Sequence, residues 1–169
     1  DYYIHTIANS DAVYYWSNYI FTFDSGAKIY ERFNGDYTLK TTLDVQNMIN
    51  PWYDGSSQTI TMSDVKFDNG FLFIKYSYSA ASTMYGLACF RITNGEFKNH
   101  SIILNGTNDF KFDFFEDYLA IHIFTTSNQG YYIYKYDKNY DSFKLETKEL
   151  NSVTVSENSI VFNNNFLYI

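Results

Sequence analysis

A recurring polar pair, which ends in a carboxylate in three of its four copies, is the feature of the sequence best suited to chemistry. The copies are Ser10-Asp11, Ser63-Asp64, Asn108-Asp109 and Asn158-Ser159. Carboxylates held close together bind cations, or their pKa values separate and they act as acid and base in glycoside hydrolysis. Asp11, Asp64 and Asp109 are candidate catalytic residues if the fold brings these strand starts together. The simpler interpretation, which we favour, is that Ser, Asn and Asp precede strands because their side chains bond backbone amides in turns.

A second candidate site is an aromatic pair in the longest polar connection of the chain, residues 46–64, which also holds the only Pro. Trp52 and Tyr53 stand next to Asp54. Aromatic rings with a polar rim bind sugars or anchor a protein partner. The sequence therefore predicts a binding site at these three residues. The simpler interpretation, which we slightly favour, is that Trp52 packs over the edge of a sheet and serves the fold alone.

Signals for metals, cofactors and reactive thiols are weak. Cys89 is the only cysteine, which excludes an internal disulfide and a cysteine zinc cluster, and its alternating neighbours predict a buried thiol. Residues 137–141 have oxygen ligands at alternate positions, as a calcium loop does where it begins. Ser142 and Lys148, however, replace the Gly and Glu that such a loop needs. A hairpin turn is the better interpretation, and we expect no metal and no cofactor.

The overall charge limits the class of partner. The chain has 12 Lys and Arg against 19 Asp and Glu, a net charge of -7, and its basic residues are scattered. Nucleic acids and anionic membranes are bound through basic patches, so we expect neither as a partner. No apolar run reaches the length of a transmembrane helix. These considerations leave a protein or a carbohydrate as the expected partner.

Two triplets match the acceptor pattern for N-glycosylation, Asn99-His100-Ser101 and Asn105-Gly106-Thr107. Such triplets are used only in a eukaryotic secretory route, and they also arise by chance in an Asn-rich sequence. We predict Asn99 and Asn105 as glycosylation sites of a secreted glycoprotein, located outside the cell or in the secretory lumen. A cytoplasmic location is the alternative.

The elements that must position these side chains have the composition of strands, because aromatic residues make up 21% of the chain and favour pleated sheets. Four stretches repeat one pattern at a period of roughly 50 residues, each with an aromatic residue directly after a polar turn. These aromatic residues are Tyr19, Phe71, Tyr118 and Phe166. Asn-Gly at 34–35 and 94–95 predicts type I′ turns, since both positions need positive φ. The sequence thus predicts an all-β fold of antiparallel repeats.

Four short antiparallel strands in each unit of about 45 residues are typical of a β-propeller blade. The chain resembles the β-propeller superfamily, without the signature of a particular family. The resemblance implies one repeat region over residues 1–169, with three four-stranded blades and parts of a fourth, and inner strands at residues 11–16, 64–68, 109–114 and 159–162. We expect a fragment of a larger propeller, or closure by a second copy. A β-sandwich or barrel is the structural alternative.

The resemblance also implies where function lies. In a propeller meander, the loops that follow the second strand and those that precede the inner strand share one face, and residues 46–64 belong to that face. We therefore expect a non-enzymatic interaction module that presents loops to a protein or carbohydrate partner. One alternative is a propeller-type glycoside hydrolase that uses Asp11, Asp64 and Asp109. Another is a cytosolic assembly scaffold.

Overall fold

The computed structural model describes residues 12–23, 26–125, 128–151, 161–163 and 166–168. Within these ranges the chain folds into antiparallel β-sheets with one short helix, so the predicted all-β, antiparallel architecture is confirmed. In the same part of the chain, no helix is long and apolar enough to span a membrane.

Three consecutive four-stranded sheets make up most of the described chain, and in each the strands lie side by side in sequence order. Sheet I consists of β1 (Ala12–Trp16), β2 (Tyr19–Phe23), β3 (Ala27–Phe33) and β4 (Asp36–Leu43). Between sheets I and II lie α1 (Val45–Ile49), β5 (Trp52–Tyr53) and β6 (Ser56–Ser57). Sheet II consists of β7 (Ile60–Asp68), β8 (Phe71–Ser79), β9 (Thr83–Thr93) and β10 (Glu96–Gly106).

Sheet III follows with the same order of strands, and a further pair of strands comes after it. Its strands are β11 (Phe110–Phe115), β12 (Tyr118–Thr125), β13 (Asn128–Asp137) and β14 (Ser142–Asn151). The final pair is β15 (Val161–Asn163) and β16 (Phe166–Tyr168). The repeat inferred from the aromatic anchors therefore corresponds to one four-stranded meander per unit.

The predicted inner strands match the first strand of each sheet, with one difference in where a strand begins. β7 begins at Ile60 rather than at residue 64, because Ile60 and Met62 already alternate toward the core between sheets I and II. β11 begins at Phe110, next to its predicted start. The predicted starts at residues 11 and 159 lie outside the described residues.

Asn-Gly pairs form the tight turns between the third and fourth strands of sheets I and II. Asn34 and Gly35 have φ values of 51° and 92°, and Asn94 and Gly95 have φ values of 51° and 71°. Positive φ at both central positions is what a type I′ hairpin turn requires. The two predicted hairpin turns are confirmed.

The fourth strand of each sheet, which lies at an edge, carries one or two extra residues that interrupt its pairing register. These residues are Lys40 in β4, Asn99 and Ile103 in β10, and Glu146 in β14. Such bulges increase the local twist and discourage an edge strand from pairing with another chain. The irregularity is therefore a protective feature of each outer edge, and the alternating sequence pattern gave no sign of it.

Sheet II is buried on both faces, which explains the continuous apolar run at the start of β8. Leu72 and Ile74 pack toward sheet I, whereas Phe71 and Phe73 pack toward sheet III. Successive side chains of a strand point to opposite faces, so one strand supplies two cores. Sheet I adds Phe21, Phe23, Ala27 and Ile29 to the first core, and sheet III adds Phe110, Phe112, Phe114 and Leu119 to the second. The three sheets thus stack face to face.

Candidate functional site

The connection between sheets I and II positions the aromatic pair, and it begins with a capped helical turn. Asp44 accepts a hydrogen bond from the Asn47 backbone at 3.1 Å and another from the Asn47 side-chain amide at 2.7 Å. Such a cap satisfies backbone donors that the first helical turn leaves free. Asn50 ends the helix in the left-handed conformation, with φ 35° and ψ 63°. The chain then enters β5 through the buried Pro51.

The hairpin β5–β6 closes through a two-residue turn, Asp54-Gly55, whose φ values of 50° and 75° are again both positive. Its strands are fixed by side chains from their own segment. The Ser56 hydroxyl donates to the Tyr53 carbonyl at 3.1 Å, and the Gln58 amide donates to the same carbonyl at 3.3 Å. Both bonds are made within the hairpin's own segment, so they support the turn locally.

Gln46 fastens the base of the hairpin to the start of sheet II. Its Nε2 donates to the Gln58 carbonyl at 2.9 Å, and its Oε1 accepts from the Ile60 backbone at 2.9 Å. One side-chain amide thereby replaces a donor and an acceptor of a regular ladder. These two bonds set the orientation of the hairpin relative to the start of sheet II.

Both aromatic side chains of the hairpin are open to solvent. Trp52 is 65% exposed and Tyr53 is 42% exposed. The alternative that Trp52 is packed over a sheet edge is therefore wrong, because a packed ring would lose most of its accessible surface. The binding role assigned to Trp52, Tyr53 and Asp54 stays a prediction.

The two rings lie on opposite faces of the hairpin. Trp52 pairs with Ser57 across the ladder, and Tyr53 pairs with Ser56. Because neighbouring residues of a strand alternate between faces, each ring shares its face with one of the serines. The hairpin therefore offers two separate aromatic surfaces, one on each face, rather than one surface formed by both rings.

The candidate catalytic carboxylates have different surroundings from one another. Asp109 lies 2.6 Å from the Lys75 ammonium and also accepts a hydrogen bond from the Phe110 backbone at 2.7 Å. The bond to the following backbone amide is the local role favoured for such residues in the sequence. Asp64 is exposed and lies inside β7, next to an irregularity in register. Asp11 lies outside the described residues.

In the part of the chain that the structure describes, no group of three or more His, Cys, Asp or Glu residues is arranged to hold a metal ion. The segment that resembled the start of a calcium loop forms the turn between β13 and β14. Within it Asp137 accepts from the Asn139 backbone at 2.9 Å. The bond to the Lys144 ammonium, followed by that backbone bond, lowers the pKa of Asp137. The interpretation as a hairpin turn is confirmed.

A buried carboxylate that sequence reasoning missed links the first strands of sheets II and III. Asp113 of β11 is only 9% exposed and forms an ion pair with Lys66 of β7. It also accepts a hydrogen bond from the Phe114 backbone at 3.0 Å. In the sequence, Asp113 occupies only an ordinary polar position in an alternating strand. Its partner comes from another repeat, and no local signal predicts such a pair.

A second polar cluster lies between the same two sheets. Arg91 of β9 is 2.7 Å from Asp141, which also accepts a hydrogen bond from the Tyr136 hydroxyl. Burial, followed by the bond to Asp141, raises the pKa of Tyr136 to about 12. Cys89 and the residues of this cluster line a cavity of about 50 Å³. Burial raises the pKa of the Cys89 thiol. The prediction of a buried Cys89 is confirmed.

The two glycosylation acceptors lie on β10, an edge strand of sheet II. Asn99 is one of the extra residues at which the pairing register shifts. Asn105 is exposed, and its amide lies 3.4 Å from the Tyr78 hydroxyl. Their use as glycosylation sites stays a prediction.

Comparison with known proteins gives one distant structural likeness. No family model matches the chain, and no curated protein matches it. A crystal structure of a protein from Lactobacillus plantarum, determined as a structural-genomics target, is similar with 18% sequence identity and a TM-score of 0.46. The match covers 82% of this chain and 39% of that protein, so the chain spans less than half of its length.

Proposed function

We propose that this chain is a non-enzymatic interaction module that presents the β5–β6 hairpin to a protein or carbohydrate partner. The observation that carries the proposal is the exposure of Trp52, 65%, on a hairpin whose own polar groups fix its shape. Exposing a large aromatic ring costs hydrophobic stabilisation that burial would supply, and such rings anchor partners at interfaces. A rigid hairpin also loses little entropy when it binds.

The experiment is capture of partners from an extract of the native source, with the wild-type chain and the Trp52→Ala/Tyr53→Ala variant as baits. Phe33→Ala is the matched control, since Phe33 is an equally exposed ring at 70% and lies on the turn of another sheet. The proposal expects a partner that the wild type and the control retain and the hairpin variant loses. Equal capture by all three folded baits would remove the hairpin from consideration.

We infer that the three sheets are blades of a β-propeller, to be closed by further blades of the same chain or by a second copy. Support comes from sheet II, which packs through both of its faces, and from the contact between the first strands β7 and β11. A sandwich has two sheets around one core, each with a polar outer face. The intact mass of the protein from its natural source tests the idea. After enzymatic removal of N-glycans, a chain mass well above 19.9 kDa supports further blades, and a dimer of 19.9 kDa chains supports a second copy.

A propeller-type glycoside hydrolase with Asp11, Asp64 and Asp109 has less support, because the Asp109 carboxylate is engaged by Lys75. A screen of chromogenic glycosides tests it. Turnover that Asp64→Asn abolishes in a folded protein would establish the hydrolase and overturn the interaction module.

We further propose that the module is extracellular and glycosylated at Asn99 and Asn105, which share the outer strand β10. The supporting observations are the two sequons and the exposure of Asn105. A loss of mass after enzymatic removal of N-glycans from the native protein is the expected result. An unchanged mass would favour the cytosolic scaffold.

A further inference from the structure

The face of the hairpin that carries Trp52 also carries polar groups suited to binding a small ligand. Ser57 lies directly across the ladder from Trp52 and therefore shares its face. The Ser57 hydroxyl donates to the Oδ1 atom of Asn50, which brings the Asn50 side chain to the same face. An exposed ring, a hydroxyl and a carboxamide thus lie together on one rigid surface.

The hydrogen-bonding capacity of this face is divided between one donor group and one acceptor. The Nδ2 amino group of Asn50 has no partner among the described residues, so its two hydrogens are available. The Ser57 oxygen has used its hydrogen and retains its lone pairs as acceptors. Neighbouring hydroxyls of a sugar match this pair, because one can accept from the amide while the other donates to the serine.

The charge of the surrounding segment excludes anionic ligands. From Gln46 to Val65 the sequence contains no Lys or Arg, whereas it contains Asp54 and Asp64. Carboxylate, phosphate and sulfate groups are bound by Arg or Lys, and the overall charge of -7 would repel them further. A ligand for this face is therefore not an anion, and the neutral amide of Asn50 and the hydroxyl of Ser57 are matched by neutral hydroxyl groups.

We propose that the Trp52 face binds a neutral carbohydrate, with one pyranose ring stacked on the indole and its hydroxyls bonded to Asn50 and Ser57. The apolar C–H face of a pyranose suits an exposed indole, and adjacent hydroxyls suit a donor beside an acceptor. A protein partner would bury about 800 Å² on each side, far more than one ring and its polar rim supply. This inference rests on the proposed function and narrows its partner to one chemical class.

Calorimetric titration with neutral hexasaccharides tests the inference, using cellohexaose, laminarihexaose, mannohexaose and chitohexaose as probes and an oligogalacturonate as the anionic comparison. We expect at least one neutral probe to bind and the oligogalacturonate not to bind. Trp52→Ala should weaken binding roughly tenfold or more, which corresponds to the loss of one stacking contact and its buried area. Asn50→Asp keeps a residue that tolerates the left-handed conformation but removes the donor, so it should also weaken binding.

Two controls make the result specific to this face. Phe33→Ala removes an exposed ring on sheet I, and Tyr140→Ala removes an exposed ring in the turn between β13 and β14. Both should bind the neutral probe as the wild type does, and circular dichroism should show every variant folded.

The outcomes separate this inference from the function on which it rests. Binding that Trp52→Ala leaves unchanged, or no heat with any neutral probe at millimolar concentration, overturns the carbohydrate assignment. If a captured protein partner still depends on the hairpin, the interaction module stands and only its partner class was wrong. If no captured partner depends on it either, both proposals fail.

Discussion

The β5–β6 hairpin and the interface between sheets II and III both combine aromatic rings with carboxylates, but these groups have different partners. In the hairpin, polar side chains bond within their own short segment, and Trp52 remains open to solvent. At the interface, Asp113 bonds to Lys66 from the neighbouring sheet and is almost fully buried. The rings there pack on one another, with centroids of Phe71 and Tyr136 4.7 Å apart.

This difference distinguishes side chains that join two sheets from side chains that remain open to solvent, in a fold whose repeats otherwise look alike. A carboxylate paired with a lysine of the next sheet joins two sheets, whereas a ring that contacts little is available to a partner. Of the acidic residues that first suggested chemistry, Asp109 is engaged in the same way, by the Lys75 ammonium of the neighbouring sheet. The aromatic pair between two repeats is the better candidate for recognition.

The largest effect is expected where the interior has no space at all. Gly86 of β9 lies opposite Tyr76, and a Cβ atom at this position would be 2.2 Å from a carbon of the tyrosine ring. Gly86→Ala should therefore lower the free energy of unfolding by about 3 kcal/mol, because the buried ring must move. Chemical denaturation measures this change. Gly106→Ala is the control, since a Cβ there meets nothing within 4 Å; equal costs at both positions would contradict the packing described.

A smaller effect is expected at the ion pair between the sheets. Asp113→Ala leaves Lys66 without its partner in a partly buried position, which should cost about 2 kcal/mol of stability. Replacing both residues, as Asp113→Leu with Lys66→Met, should recover most of that loss, because no charge then remains to desolvate.

Thermal and urea unfolding of the single and double variants measure this coupling. Asp64→Ala serves as the control, because Asp64 is an exposed carboxylate on the same strand as Lys66. A cost for Asp64→Ala as large as that for Asp113→Ala would mean that the interface pair has no special structural role.

The pH dependence of stability gives a third prediction, with a smaller expected effect. Burial, followed by the nearby Tyr78, raises the pKa of Tyr76 from 10.0 to about 12. The unfolded chain therefore loses this proton near pH 10 while the native protein keeps it. Stability from this group is present below pH 10 and is lost between pH 10 and 12. Tyr76→Phe should lose stability less steeply in this range, and parallel slopes for both proteins would show that Tyr76 is not buried.

The repeats could be predicted from the sequence because the residues at their turns are characteristic of tight hairpins. Asn34-Gly35 and Asn94-Gly95 form turns that other residues adopt only with strain. The hairpin β5–β6 carries a similar signal at Asp54-Gly55 and was overlooked because its strands have only two residues each.

Other features depend on contacts between distant parts of the chain. The pairing of Lys66 with Asp113 joins residues of different repeats, and the shift in register at Asn99 depends on how β10 meets β9. The sequence likewise does not determine whether Trp52 is exposed, since its neighbours in sequence are compatible with a buried ring or an exposed one. Only the fold of the connection decides between them.

The most direct test of the account is the affinity of the captured partner for the wild-type chain and for Trp52→Ala/Tyr53→Ala, measured together with their stabilities. We expect both proteins to unfold at the same denaturant concentration, because exposed rings contribute little to stability, while the variant binds at least about tenfold more weakly. Equal affinity in a variant of unchanged stability would contradict the assignment of recognition to the hairpin.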